Sequence, residues 1–127
     1  MTQFSQQTRN RLAQVQAIAG TGNPVDLGMM AINTPHVYAE SVNIIAQDEA
    51  IDMFLVVGTA EPKLEETLVP AIRDTGNPAV AVFITPSNSS ERAFWEHGIP
   101  IYRDVRRAAN VLAKLCHYAE FARGCDG

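Results

Sequence analysis

Two apolar stretches decide the fold of this 127-residue chain: IDMFLVVGT at residues 51–59 and AVAVFI at residues 79–84. Both are nearly unbroken apolar runs with β-branched and aromatic members, which is typical of strands buried on both faces of a parallel sheet. Segments with a helical spacing of apolar residues lie before, between and after them. Strands and helices alternating at this spacing predict right-handed β-α-β units and a three-layer sandwich.

The remaining elements follow from apolar spacing together with start and stop residues. A third strand is predicted at residues 99–102, and a short extended piece at residues 24–27. Helices are predicted at residues 3–18, at residues 34–47 after a Thr34-Pro35 start, from Leu64 to a Gly76 stop, in the segment before Gly98, and from Asp104 onward. The last helix carries the clearest apolar stripe, which we expect to be buried: Val105, Ala108, Ala109, Leu112, Leu115, Cys116 and Ala119.

These elements predict an α/β fold, a flavodoxin-like sandwich with a parallel sheet, as a single domain over residues 1–127. Doubly wound domains usually open with a strand and a glycine-rich turn into a helix. This chain opens with a predicted helix instead. We therefore expect the first strand of the fold to be missing, and the chain to be a fragment or module of a larger protein.

Composition narrows the classes of partner. Apolar residues make up 46% of the chain and charged residues 19%, which is ordinary for a globular domain. The net charge of −4 lacks the basic surplus of nucleic-acid-binding proteins. No apolar stretch reaches the ~20 residues of a membrane helix, and the N-terminal segment MTQFSQQTRNR does not resemble a signal peptide. We expect a cytoplasmic protein with free cysteines and with neither nucleic acid nor membrane as partner.

The candidate site lies where the strands end. In open parallel sheets, ligands bind beyond the carboxyl ends of the strands, where helix N-termini present unpaired N–H groups. The turn at Asp26 and Gly28, followed by the helix start at Thr34 and His36, is the best candidate for facing a phosphate. Two interpretations stay open, because these residue types are also good turn and cap residues. For His36 itself, an exposed surface position is the alternative to a catalytic role.

Other charged or titratable residues favour structural roles. His97 precedes a helix-ending glycine, where a cationic side chain helps the helix C-terminus, and His117 is expected to pack at the edge of the apolar stripe. The basic residues Arg103, Arg107 and Lys114 fall opposite that stripe, as a solvated face or as a surface for an acidic partner. No histidine pair has metal-ligand spacing, so no metal site is predicted.

Two motifs carry a resemblance to a known family. Gly22-Asn23-Pro24-Val25-Asp26-Leu27 resembles the GNPVDL signature of the NDP-forming acyl-CoA synthetases. The segment Gly98–Arg103, with the helix that runs into Leu115–Ala119, is similar to the GIPVY segment and terminal helix of that family. Asp52–Val57 is similar to its DavLvi strand. The resemblance covers about residues 5–123, and a more distant one is to the C-terminal domain of the succinyl-CoA synthetase β subunit.

The resemblance implies one domain of a modular ligase. Such an enzyme converts acyl-CoA, a nucleoside diphosphate and phosphate into acid, CoA and a nucleoside triphosphate such as ATP, through an acyl phosphate and a phosphohistidine. It uses CoA, a nucleotide and Mg²⁺, bound by CoA-binding and ATP-grasp domains that we expect as partners of this chain. We expect no cofactor in this chain itself.

The family histidine stands in a segment like SHTGA, and no histidine here has that context. The resemblance therefore implies that this domain contributes a helix N-terminus to the phosphohistidine site and does not carry the histidine. The turn departs from the family pattern, since Gly28-Met29-Met30 is bulkier than expected. The alternative function is a stand-alone, non-catalytic interaction or regulatory module. Because the first strand is expected to be missing, we also expect an open strand edge and self-association.

Overall fold

The structure, a computed structural model, describes residues 2–15, 20–28, 34, 36–59, 64–84 and 88–125. Five helices and three strands lie within these ranges. In chain order they are α1 (Gln6–Leu12), α2 (His36–Ile45), β1 (Phe54–Thr59), α3 (Leu64–Thr75), β2 (Ala79–Ile84), α4 (Asn88–Glu96), β3 (Ile101–Tyr102) and α5 (Val105–Cys125).

The strands form one open parallel sheet in the order β1-β2-β3. The central strand β2 coincides with the predicted residues 79–84. Its side chains from Ala79 to Phe83 are buried on both faces of the sheet. The pairing of Phe54 with Ala79 and of Ala81 with Ile101 sets the register. The predicted fold class is confirmed: the chain has a flavodoxin-like α/β fold, and the sheet has three strands within the described residues.

Helices cover the two faces of the sheet unequally. The main core joins side chains of α1, α2, α3 and α4 to one face, where Phe83 and Phe94 meet edge to face with ring centroids 5.1 Å apart. On the other face, Ala108 and Leu112 of α5 pack against Val80 and Val82. After α3 and α4, the exposed Gly76 and Gly98 have φ +69° and +76°, a left-handed conformation that glycine adopts without strain.

The first helix is shorter than the predicted residues 3–18. It begins at Gln6 because the Ser5 hydroxyl accepts the N–H of Thr8 at 3.2 Å, and it gives way to turns after Leu12. Phe4 and Val15, which belong to the predicted range but lie outside the helix, are buried in the core of the chain itself. Ile18, at the end of the predicted range, lies outside the described residues.

Strand β1 begins later than the apolar run predicts. Asp48 accepts the N–H of Ala50 at 3.1 Å on its side chain and the N–H of Ile51 at 3.1 Å on its carbonyl, so residues 48–51 form a turn. The extended piece at residues 24–27 is not a strand of the sheet. It contributes only an isolated antiparallel bridge between Gly20 and Asp26.

The prediction for α5 is right for its start and wrong for much of its stripe. Asp104 caps the helix, since its Oδ1 accepts the N–H of Arg106 at 2.8 Å. Ala108 and Leu112 are buried, but Val105 and Leu115 are exposed. A 21-residue helix is about 31 Å long, whereas a six-residue strand such as β2 is about 20 Å long. The C-terminal half of α5 therefore extends past the sheet.

The prediction that His117 packs at the edge of the apolar stripe is wrong. His117 is exposed on the C-terminal half of α5. Its Nδ1 lies 3.8 Å from Glu120 Oε2. Cys116, also expected on the buried stripe, is exposed and free. Within the described residues, none of the helices has the length and apolar character needed to cross a lipid bilayer.

Candidate functional site

The segment before α2 is held as a closed turn. Gly20 and Asp26 exchange two backbone hydrogen bonds of 3.0 and 3.1 Å. At the tip, the Asn23 side-chain amide donates to the carbonyl of Thr2 at 2.7 Å. These bonds tie residues 20–26 to themselves and to the start of the chain, so the predicted signature residues occupy a defined loop beside the sheet.

One carboxylate oxygen of Asp26 accepts a hydrogen bond within its own turn. Its Oδ1 accepts the N–H of Gly28 at 2.8 Å, which is an Asx-type turn. Gly28 has φ +73°, a conformation in which a side chain would be strained. Asp26 is otherwise exposed at this edge.

Helix α2 begins beside the carboxyl end of β1. A Cβ atom at Gly58 would lie 3.1 Å from the Tyr38 hydroxyl, so the glycine permits the close approach of the first turn of α2 to the strand. The carbonyl of Thr34 accepts the N–H of Val37 at 3.0 Å, which confirms that the helical turn starts there. A hydroxyl cap by the Thr34 side chain stays a prediction, and residues 29–33 and 35 lie outside the described residues.

The four predicted site residues do not share one cavity. Asp26 and Gly28 line a groove along β1, whereas His36 lines a separate shallow cleft with Arg11 and Glu40. His36 is exposed, as its surface interpretation expects. The role of all four in phosphate recognition stays a prediction.

We call the groove along β1 the slot. One wall is the strand, the floor is α2, and the opposite wall is the turn at residues 23–28. Its volume is about 340 Å³. The lining side chains are mostly apolar and include Phe4, Val25, Leu27, Tyr38, Val42, Ile45, Ile51, Met53, Phe54 and Val56.

Ser41 is the polar residue that sequence reasoning missed. It lines the slot from α2, its side chain is 3% exposed, and its Oγ has no hydrogen-bond partner. Nothing in the sequence marks this serine, because a hydroxyl on an apolar helix face usually bonds to the preceding turn of its own helix.

The other predicted residues lie away from the slot. His97 uses Nδ1 to contact the carbonyl of Ala93 at 2.7 Å, which confirms its role at the end of α4. Arg103, Arg107 and Lys114 are exposed, as expected of a solvated face. In the described part of the chain, no three His, Cys, Asp or Glu residues are placed to hold a metal ion.

An open parallel sheet with helices on both faces, and a turn leading into a helix beside the carboxyl end of an edge strand, defines a domain of the flavodoxin-like class. Among solved structures, the chain is similar to PH0766 from Pyrococcus horikoshii OT3, with a TM-score of 0.68 and 22% sequence identity. The similarity covers 82% of this chain and 26% of that chain, so this chain spans about a quarter of the length of the protein it matches.

At this level of identity the similarity concerns the fold. No protein-family model matches the sequence, and no curated protein matches it.

Proposed function

We propose that this chain is a CoA-ligase-type domain of an NDP-forming acyl-CoA synthetase. In that enzyme, acyl-CoA, a nucleoside diphosphate and phosphate yield acid, CoA and a nucleoside triphosphate. The chain would present the turn at Asp26 and Gly28, and the start of α2 at Thr34 and His36, to a phosphohistidine carried by another domain. CoA, the nucleotide and Mg²⁺ would be bound by those other domains.

The places of the two signature segments in the fold support this proposal. The first, residues 22–27, is the turn that leads toward α2. The second, residues 98–103, contains β3 and the left-handed Gly98 that precedes it. Each segment sits at a junction between a helix and the sheet, where a fixed backbone shape matters more than side-chain bulk.

One observation carries the proposal: the Asp26 carboxylate accepts the N–H of Gly28 at 2.8 Å. A free carboxylate beside a helix N-terminus repels an anion. Because one of its oxygens is bound to its own turn, Asp26 opposes an incoming phosphate less than an unbound carboxylate would. The unpaired N–H groups at a helix start then favour negative charge.

The histidines support a receiving role for this chain. His97 is engaged with the Ala93 carbonyl, and His117 is exposed beside Glu120 on α5. His36 is exposed in the first turn of α2. None of the three stands in a segment like that of the family histidine.

The test is a titration with inorganic phosphate, followed by amide NMR shifts at constant ionic strength. We expect shifts at residues 26–28 and 36–37 that saturate at millimolar phosphate. Asp26→Asn should strengthen binding because it removes a negative charge from the edge. Asp52→Asn, at another exposed carboxylate, is the matched control and should leave binding unchanged.

Shifts confined to Arg103, Arg106 and Arg107 would contradict the proposed site. They would favour the alternative, a non-catalytic module whose basic face binds an acidic partner. A second arm uses a peptide with a stable phosphohistidine analogue, which should compete with phosphate for the same amides.

A further inference from the structure

Strand β1 has a free backbone edge. The N–H of Phe54 donates to the carbonyl of Pro78 at 2.9 Å, so the peptide groups of Phe54 face β2. Backbone groups alternate in direction along a strand, and those of Leu55 and Val57 therefore point away from β2. In the part of the chain that the structure describes, no strand pairs with β1 on that side.

Five consecutive residues, Met53 to Val57, line the slot, as expected of a groove that follows the edge of a strand. Its walls are β1 and the turn at residues 23–28, and α2 forms the floor. On the opposite side of the sheet, Leu55 and Val57 are 38% and 48% exposed, next to the buried Val80 and Val82. A strand laid in the slot would cover apolar surface on both faces of the sheet.

Ser41 gives an independent indication of an occupant. A buried hydroxyl without a partner destabilises the free protein, and native structures rarely retain one without a reason. Ser41 is among the residues that line the slot, and its Oγ is buried there. A backbone carbonyl or N–H of a strand in the slot would satisfy it.

The charge around the slot indicates the chemistry of the occupant. Asp52 is exposed between the lining residues Ile51 and Met53, and residues 20–59 contain no Lys or Arg. Asp26 lines the slot itself. An apolar strand flanked by Lys or Arg is complementary to such an edge.

We propose that the slot binds an extended apolar strand, flanked by basic residues, of a partner polypeptide, which pairs with the free edge of β1. Unpaired backbone groups at every second residue match an extended peptide, as in other cases of strand addition. A second copy of this chain fits less well as the occupant. In each copy, the turn at residues 23–28 borders the free edge of β1, so this turn stands in the way of pairing between two β1 strands.

The test uses the intact chain and a defined probe. The probe is a fluorescein-labelled peptide of sequence Lys-Thr-Val-Thr-Val-Thr-Val-Lys, followed by fluorescence anisotropy and amide NMR. We expect saturable binding that weakens with salt, with slowed amide exchange at Leu55 and Val57. A peptide with Glu at both ends should bind at least tenfold more weakly at low salt. A peptide N-methylated at alternate residues should not bind.

Variants of the chain separate the slot from other surfaces. Ser41→Ala should weaken peptide binding by about threefold to tenfold, the value of one hydrogen bond. Asn43→Ala, on the exposed side of the same helix, is the matched control and should not change it. Backbone NMR spectra of both variants establish that they are folded.

Three results would overturn the proposal. The first is no binding of the Lys-flanked peptide up to millimolar concentration. The second is equal binding of the N-methylated peptide, which would mean that the slot takes apolar groups without strand pairing. The third is protection of Leu55 and Val57 that appears without peptide as the protein concentration rises, which would assign the edge to a second copy.

Discussion

The Asp48 carboxylate and the backbone N–H of Ser5 are joined by a hydrogen bond of 2.8 Å across 43 residues of sequence. The bond fastens the residue that caps α1 to the turn between α2 and β1. Asp48 is buried, and hydrogen bonds to it from Ser5, Thr8 and Ala50 lower its pKa from 3.8 to about 2. The start of the chain is therefore held to the core by a carboxylate that works in its ionised form.

We predict that Asp48→Asn destabilises the chain in a way that depends on pH. A group whose pKa is lower in the folded state contributes stability above its unfolded pKa, and this contribution is lost as the pH falls through the folded pKa. The difference from the parent chain should be full at pH 7 and should shrink between about pH 4 and pH 2.

Urea unfolding at pH 7, 4, 3 and 2 measures this difference. The exposed Asp52→Asn is the control and should track the parent chain at every pH. A penalty for Asp48→Asn that stays constant down to pH 2 would show that packing, and not the charge, holds Ser5.

Phe94→Ala should cost about 3–5 kcal/mol of unfolding free energy. Phe94 is 1% exposed and meets Phe83 edge to face, so its loss leaves a cavity between α4 and the sheet. The neighbouring Trp95 is exposed, and Trp95→Ala should stay within about 0.5 kcal/mol of the parent chain. Chemical denaturation of the two variants compares them directly, and equal losses would contradict this packing of α4.

The sequence predicts those parts of the fold in which a residue pattern is compatible with only one kind of element. The run at residues 79–84 is central in the sheet, and an unbroken apolar strand there matches its observed bounds. At β1 the apolar run does not mark the start of the strand. Ile51 and Met53 pack against the core, although both residues precede the strand.

The burial of α5 could not be predicted from its stripe. Periodicity identifies the face of a helix that is apolar, but not how far the surface beneath it extends. Strand β3 has only two residues, so the sheet stops short of Leu115. The slot is equally invisible in the sequence, because it depends on where the turn at residues 23–28 lies relative to β1.

Ser41→Ala should stabilise the free chain by about 1 kcal/mol. The substitution removes a buried hydroxyl that has no partner and leaves its methylene in place. Ser5→Ala is the opposite control: its hydroxyl accepts the N–H of Thr8, and losing this cap should cost about 0.5–2 kcal/mol. The stability of both variants is measured from the midpoint of urea unfolding. A loss of stability in Ser41→Ala without any peptide would indicate that the hydroxyl already has a partner.

We predict that the purified chain forms no acyl-CoA from small carboxylic acids, CoA, ATP and Mg²⁺. Under the proposed function, the groups that bind CoA and nucleotide and the phosphorylated histidine belong to other domains. The assay is mass spectrometry of the acyl-CoA product, with a complete acyl-CoA synthetase as the positive control. Product formed in proportion to the amount of this chain would overturn the proposed division of labour.

The exposed half of α5 should make the chain associate with itself at high concentration. Tyr118 and Phe121 are 69% and 70% exposed, and Leu115 extends the same apolar surface. We expect a monomer–dimer equilibrium whose contacts lie on α5 and leave the slot open.

Light scattering over a dilution series measures this equilibrium. The double substitution Tyr118→Ser with Phe121→Ser should keep the chain monomeric because it removes most of the exposed aromatic surface. Val105→Ser, at the exposed start of the same helix, is the matched control and should dimerise like the parent chain. If the parent chain stays monomeric at every concentration, the overhanging half of α5 does not mediate self-association.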